Sequence, residues 1–201
     1  MHRAIGSNNS GDWEWREGHC SISVFYNNPR TRHYPLDEYF KFTFVRNPWA
    51  RIVSAYSNSL ITPTQWKRVI TARTPPPKFK TLIEMLYSRV DEVNSLTEMP
   101  RRLRGYPIFE DIPNSVHYLP MLPFLTRDNK CEIDFIGRFE NLLEDWKHVS
   151  NIIGAPSELG HYRKNSCEGC SSNYKDYYDD DTINMVGELY KQDIEYFNYS
   201  F

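Results

Sequence analysis

The chain has 201 residues, a length that points to one domain with ample material for a single buried core. With 24 Lys+Arg against 26 Asp+Glu and a net charge of −2, it lacks the global basic field of a nonspecific nucleic-acid binder, so any anion specificity must be local. No stretch approaches the roughly 20 apolar residues of a membrane span, and the first residues have neither the basic start nor the apolar core of a signal peptide.

In chain order, residues 1–17 read as an irregular lead-in, polar and glycine-containing, with Trp13 and Trp15 as large anchors. Residues 18–26 fit either a short strand or a helical turn. Residues 41–45 predict a buried strand and 48–60 a helix, and Thr62-Pro63 interrupts before a polar helix near 64–72 that stops ahead of Pro75-Pro76-Pro77. Phe79, Leu82, Ile83, Leu86 and Val90 recur at helical spacing, predicting an amphipathic helix over 79–90. Residues 91–116 carry Arg101, Arg102 and Arg104 among prolines 100, 107 and 113 and read as an irregular insertion. A second buried strand at 133–136, an amphipathic helix at 140–153 ending at Gly154, and a last helix at 180–197 with an acidic first turn complete the reading. Alternating strand and helix argues for an α/β domain with a mostly parallel sheet flanked by helices. Cys167 and Cys170 form a Cys-x-x-Cys, but no second pair of cysteines or spaced histidines completes a metal site, so no metal is expected. Disulfides would fit an oxidising compartment and free thiols a reducing one, which leaves location open.

The most informative stretch is 40–56, where an apolar strand meets a helix through one arginine. Asn47 is placed to cap and Pro48 to start the helix, since proline's missing N–H would have no partner there. Arg46 then stands at the carboxyl end of a strand beside a helix N-terminus, whose free amides and dipole favour negative charge. Ser54 lies two turns further on.

Val45-Arg46-Asn47-Pro48-Trp49-Ala50-Arg51-Ile52-Val53-Ser54-Ala55-Tyr56 resembles the 3′-phosphate-binding motif of sulfotransferases that use 3′-phosphoadenosine 5′-phosphosulfate (PAPS), in particular the carbohydrate and Golgi-type family with its bacterial and viral relatives. Ile133-Asp134-Phe135-Ile136-Gly137-Arg138-Phe139-Glu140-Asn141-Leu142 is similar to that family's later strand and helix start. Tyr177-Tyr178-Asp179-Asp180-Asp181 through Asp193-Ile194-Glu195-Tyr196-Phe197 resembles its C-terminal helix. The resemblance implies a P-loop-NTPase-like fold, PAPS as co-substrate, a carbohydrate or glycan acceptor, and a 3′-phosphate held by Arg46 and Ser54. It implies the Golgi lumen for a fragment of a eukaryotic membrane-anchored enzyme, and the cytoplasm for a bacterial or viral one. Sulfuryl transfer resembles phosphoryl transfer and needs a base near neutral pKa for the acceptor hydroxyl. His19, in Gly18-His19-Cys20-Ser21, falls where some relatives carry such a histidine. His117 resembles a family acceptor segment in which His is followed by Pro-Gln, although Met121 stands where the glutamine would be. Arg163 and Lys164 fall where relatives bring a loop over the nucleotide, and Arg101 and Arg102 are candidates for an anionic acceptor because arginine binds sulfate or carboxylate in a bidentate fashion.

One family feature is missing. The loop that cradles the 5′-phosphosulfate, with its Pro-Lys-Thr or Pro-Lys-Ser-Gly-Thr, has no counterpart before residue 40, and the first lysine of the chain is Lys41. The expectation is therefore either an N-terminally incomplete enzyme or a degenerate, non-catalytic relative that binds nucleotide or glycan. A nucleoside or sugar kinase would need a glycine-rich lysine loop and a magnesium carboxylate, and neither is visible.

Overall fold

The computed structural model describes residues 21–27, 34–61, 77–99, 112, 115–159 and 171–201. Its contacts divide the chain into two compact units, one of Met1–Val45, Thr97–Arg101 and Met121–His161, the other of Arg46–Leu96, Arg102–Pro120 and Tyr162–Phe201.

The first unit is built on a parallel strand pair. β1 (Phe42–Val45) runs beside β4 (Phe135–Arg138) in the register Phe42↔Phe135, Thr43↔Ile136, Phe44↔Gly137, Val45↔Arg138. The pairing is seeded at its entrance, where Asp134 Oδ2 accepts from the Lys41 amide at 2.7 Å and lies 3.3 Å from Lys41 Nζ. Gly137 is required by its neighbour: a Cβ there would meet the Phe44 ring at 2.6 Å. The expected strand at 133–136 is shifted to 135–138, because residues 133–134 serve as that entrance. The expected helix at 140–153 begins as a 3-10 turn over Phe139–Asn141 and continues as α6 (Leu142–Ile153), closing at Gly154 in the left-handed region at φ 69°.

A short α5 (Leu122–Leu125) leads into a hairpin, β2 (Thr126–Arg127) and β3 (Lys130–Cys131). Asp128 and Asn129 turn it with φ of 50° and 60°, the two-residue reversal whose twist matches the strands. α1 (Ile22–Asn27) settles the ambiguity at 18–26 in favour of helix for its described part. The single Ser23 hydroxyl proton has two acceptors in reach, Glu98 Oε2 at 2.9 Å and the Thr126 carbonyl at 3.1 Å.

The second unit is helical. α2 (Pro48–Ile61) follows Asn47, and α3 (Phe79–Tyr87) buries Phe79, Leu82, Ile83 and Leu86 of the predicted stripe; the helix expected over 79–90 stops at Tyr87, leaving Val90 half-buried beyond it. Residues 90–94 form a further short helix, α4 (Val90–Asn94), so the segment read as irregular from 91 onward starts helical, with Val93 as its buried anchor. The last helix is two: α7 (Asp180–Leu189) and α8 (Lys191–Phe197). The break falls at Tyr190, at φ −113° and ψ 30°, yet the buried stripe Val186, Leu189, Tyr190, Asp193, Phe197 runs straight through it. Burial at helical period makes the two helices one pattern in sequence. Asp179 starts α7 with a capping box, its carboxylate accepting from the Thr182 amide at 2.9 Å and the Thr182 hydroxyl meeting the Asp179 amide at 2.9 Å. No described helix is long and apolar enough to cross a membrane.

Candidate functional site

The chain passes from strand to helix through Arg46 and Asn47. Arg46 is half-buried, between buried Val45 and buried Asn47, Pro48, Trp49 and Ala50. Asn47 is the predicted cap. Its Oδ1 accepts from the Trp49 amide at 3.1 Å and, more weakly, from the Ala50 amide at 3.4 Å, while its own carbonyl accepts from Arg51 N at 2.8 Å. Pro48 has no amide hydrogen. The first-turn donors that sequence reasoning counts as open to a ligand are thus satisfied from within, which corrects that expectation. Ser54 lies in α2, half-buried, six residues after Pro48 and so roughly 9 Å along the axis at 1.5 Å per residue. It shares the stripe Asn47, Ala50, Arg51, Ser54.

Arg51, which the sequence did not single out, is held by four groups. Its Nη1 donates to the carbonyls of Leu119 at 2.7 Å and His117 at 3.3 Å, Nη2 lies 3.7 Å from Asp193 Oδ2, and the guanidinium stands 5.1 Å from the Tyr190 ring centre. Asp193 is 2% exposed in its side chain. Tyr190 is fully buried, donates to the Tyr118 carbonyl at 2.6 Å, and burial holds its phenol well above the ordinary range. Two side chains therefore hold three successive carbonyls, 117 to 119. Among the described residues, Arg51 Nε and Nη2 are buried without a hydrogen-bond partner. The signal available in sequence was position alone: Arg51 stands inside the 40–56 stretch and Asp193 inside the last block, but their pairing is long-range.

His117 lies in the 3-10 turn Ser115–Tyr118 with its side chain exposed and its backbone tied to Arg51. The structure thus brings the His117 segment to the helix that carries Ser54, and Arg46 precedes that same helix. His19, Arg101, Arg102, Arg163 and Lys164 lie outside the described residues. Among the described residues, no group of three or more His, Cys, Asp or Glu side chains could hold a metal ion.

A further set of contacts encloses the start of α2. Asn47 Nδ2 donates to the Ser200 carbonyl at 2.8 Å, Tyr178 Oη to the Trp49 carbonyl at 2.9 Å, and Trp49 Nε1 to the Ile183 carbonyl at 3.1 Å. The Phe201 ring packs edge-on to Trp49, Tyr174 and Tyr178 at centroid distances of 5.8, 5.8 and 5.5 Å.

Comparison with known proteins agrees with the sequence blocks. The profile of the sulfotransferase family matches residues 14–200. Carbohydrate sulfotransferase 14 of Danio rerio is 30% identical over 132 residues, covering 65% of this chain and 34% of that protein. Carbohydrate sulfotransferase 9 of Homo sapiens is 29% identical over 130 residues, 62% of this chain and 27% of that protein. An uncharacterized protein of Archaeoglobus fulgidus is 29% identical over 124 residues, 62% of this chain and 75% of that one. The matched region spans about a third or less of the two carbohydrate sulfotransferases. No solved structure gives a significant match. With a family profile covering nearly all of its length, and the three sequence blocks in order on an α/β frame with a parallel strand pair, the chain belongs to the sulfotransferase family.

Proposed function

We propose that this chain is a sulfotransferase domain that moves a sulfuryl group from PAPS to a hydroxyl of a carbohydrate or glycan. The observation that carries the reading is the Arg46 junction: a half-buried arginine at the end of a parallel strand, followed by a capped helix bearing Ser54. The residues fit a phosphate held by side chains, since the first-turn amides are already engaged. Arg46 would bind and orient the 3′-phosphate, with the Ser54 hydroxyl as a second donor. PAPS, when bound, supplies a sulfuryl group on a phosphate leaving group. His19 would take the proton of the acceptor hydroxyl, and Arg163 and Lys164 would close over the nucleotide. The exposed His117 side chain, on a backbone fixed by Arg51 and Tyr190, would meet the acceptor, with Arg101 and Arg102 serving anionic groups on it. The glycan acceptor is supported by the names of the two carbohydrate sulfotransferases that the chain resembles.

A second reading is a degenerate family member, a non-catalytic module that binds nucleotide or glycan. Sulfur-35-labelled PAPS incubated with the chain and a panel of desulfated glycosaminoglycans and neutral oligosaccharides separates the two. Label incorporated above background, and lost in His19→Ala, supports transfer. Nucleotide binding without incorporation supports the module, and neither binding nor incorporation sinks both.

A further inference from the structure

We infer that Ser200 and Phe201 act as a positioning latch on the anion motif, working through Asn47. The inference rests on the nucleotide reading of Arg46 and Ser54. Those two residues belong to differently held pieces of chain: Ser54 is part of the rigid α2, whereas Arg46 stands just outside it. The peptide that joins them is Asn47, so the geometry of the pair depends on how firmly Asn47 closes the helix.

Asn47 is buried, and its carboxamide has two ends with opposite needs. The first-turn amides of Trp49 and Ala50 require an acceptor, which Oδ1 supplies. The NH₂ then faces away from the helix and would be costly to bury unsatisfied. The Ser200 carbonyl accepts from it at 2.8 Å, a bond that favours the capping orientation of the side chain. Ser200 is exposed and has little packing of its own. It is held by its neighbour, Phe201, whose ring sits in the edge-on cluster of Trp49, Tyr174 and Tyr178 with Lys175 Nζ 4.9 Å from its centre. Trp49 is itself fixed through its carbonyl by Tyr178 and through its indole by Ile183. An aromatic anchor, a carbonyl and an amide cap therefore run in series from Phe201 to Arg46.

The test is a double-mutant cycle on the full chain, with adenosine 3′,5′-bisphosphate as probe and titration calorimetry as readout. Asn47→Ser keeps a capping oxygen and removes the donor to Ser200, while Phe201→Ala removes the anchor. Each is expected to weaken binding about tenfold, and the double variant to be no weaker than the weaker single, because both break one path. Effects that multiply to about a hundredfold would overturn the latch, as would a Phe201→Ala chain with a lower Tm and unchanged affinity. If Phe201→Ala does not fold, Phe201→Leu, which keeps apolar bulk and loses the edge-on contacts, carries the cycle. Amide exchange without ligand supplies the independent arm. The Trp49 and Ala50 amides should exchange about tenfold faster in Phe201→Ala while the α3 amides hold, and unchanged exchange overturns the latch whatever the nucleotide does. Failure of the unaltered chain to bind at millimolar probe would instead sink the nucleotide reading, leaving the latch to be judged on exchange.

Discussion

Two arginines, one in each unit, are built alike and stand in unlike surroundings. Arg51 lies over the Tyr190 ring at 5.1 Å and faces Asp193 at 3.7 Å; Arg127 lies over the Tyr26 ring at 3.7 Å and faces Glu132 at 3.4 Å. Each leaves a buried Nε without a partner among the described residues. The difference is water. The side chains of Arg51 and Asp193 are 14% and 2% exposed, against 29% and 17% for Arg127 and Glu132. Arg51 also carries the His117 and Leu119 carbonyls, whereas Arg127 belongs to a hairpin edge where Tyr26 donates to Asp37 at 2.6 Å. The same side-chain arrangement is nearly dry at the first site and only half-buried at the second, and an ion pair's cost and worth are set by how completely its partner is desolvated.

The largest effect is expected at Arg51. Arg51→Met removes the cation that faces the buried Asp193 carboxylate and should lower stability by about 3–5 kcal/mol in urea unfolding. Adding Asp193→Leu should restore part of that loss, the remainder reflecting the carbonyls of residues 117 and 119. No recovery in the double variant would show that the pair is not the source of the cost. Arg127→Met should cost about 1 kcal/mol or less in the same experiment, and a loss matching that of Arg51→Met would show the two sites to be energetically alike.

The smallest effect is a pH dependence in the Tyr26 cluster. Partial burial, the hydrogen bond to Asp37 and the charge of that carboxylate push the Tyr26 phenol up to about 12, with Arg127 opposing them. A pKa raised in the folded state favours the protonated form there, so this contribution to stability is complete below the ordinary pKa of about 10. It is lost progressively as pH rises from about 10 to about 12. Tm measured from pH 9 to 11 should fall more steeply for the unaltered chain than for Tyr26→Phe, and parallel curves would remove the shift.

What the sequence made legible follows from what is local. The β1–Arg46–α2 junction could be read because proline, asparagine and an apolar run each act on their nearest neighbours, and Asn47 caps as expected. Helix α3 was legible from its stripe, and the acidic start of α7 from Asp179 onward. The hairpin at 126–131 went unread although Asp128 and Asn129 are residue types that tolerate positive φ, because its strands are two residues each and leave no alternation to detect. The bend at Tyr190 was hidden for the opposite reason: the buried pattern continues across it unbroken. At the site, residue types in a linear motif were readable. The partners of Arg51 and Asn47 were not, since Asp193 and Ser200 are joined to them by packing rather than by spacing. That same closure of Asn47 is why the open first-turn amides inferred from sequence are engaged in the fold.

The nucleotide reading makes Arg46 the cation of a phosphate site. Calorimetric titration of adenosine 3′,5′-bisphosphate into the unaltered chain and into Arg46→Ala, at matched pH and salt, addresses it directly. Saturable binding by the unaltered chain, weakened at least about tenfold by loss of a charge-assisted contact, is the result expected. Equal binding by both chains, or none by the unaltered chain at millimolar nucleotide, would contradict it.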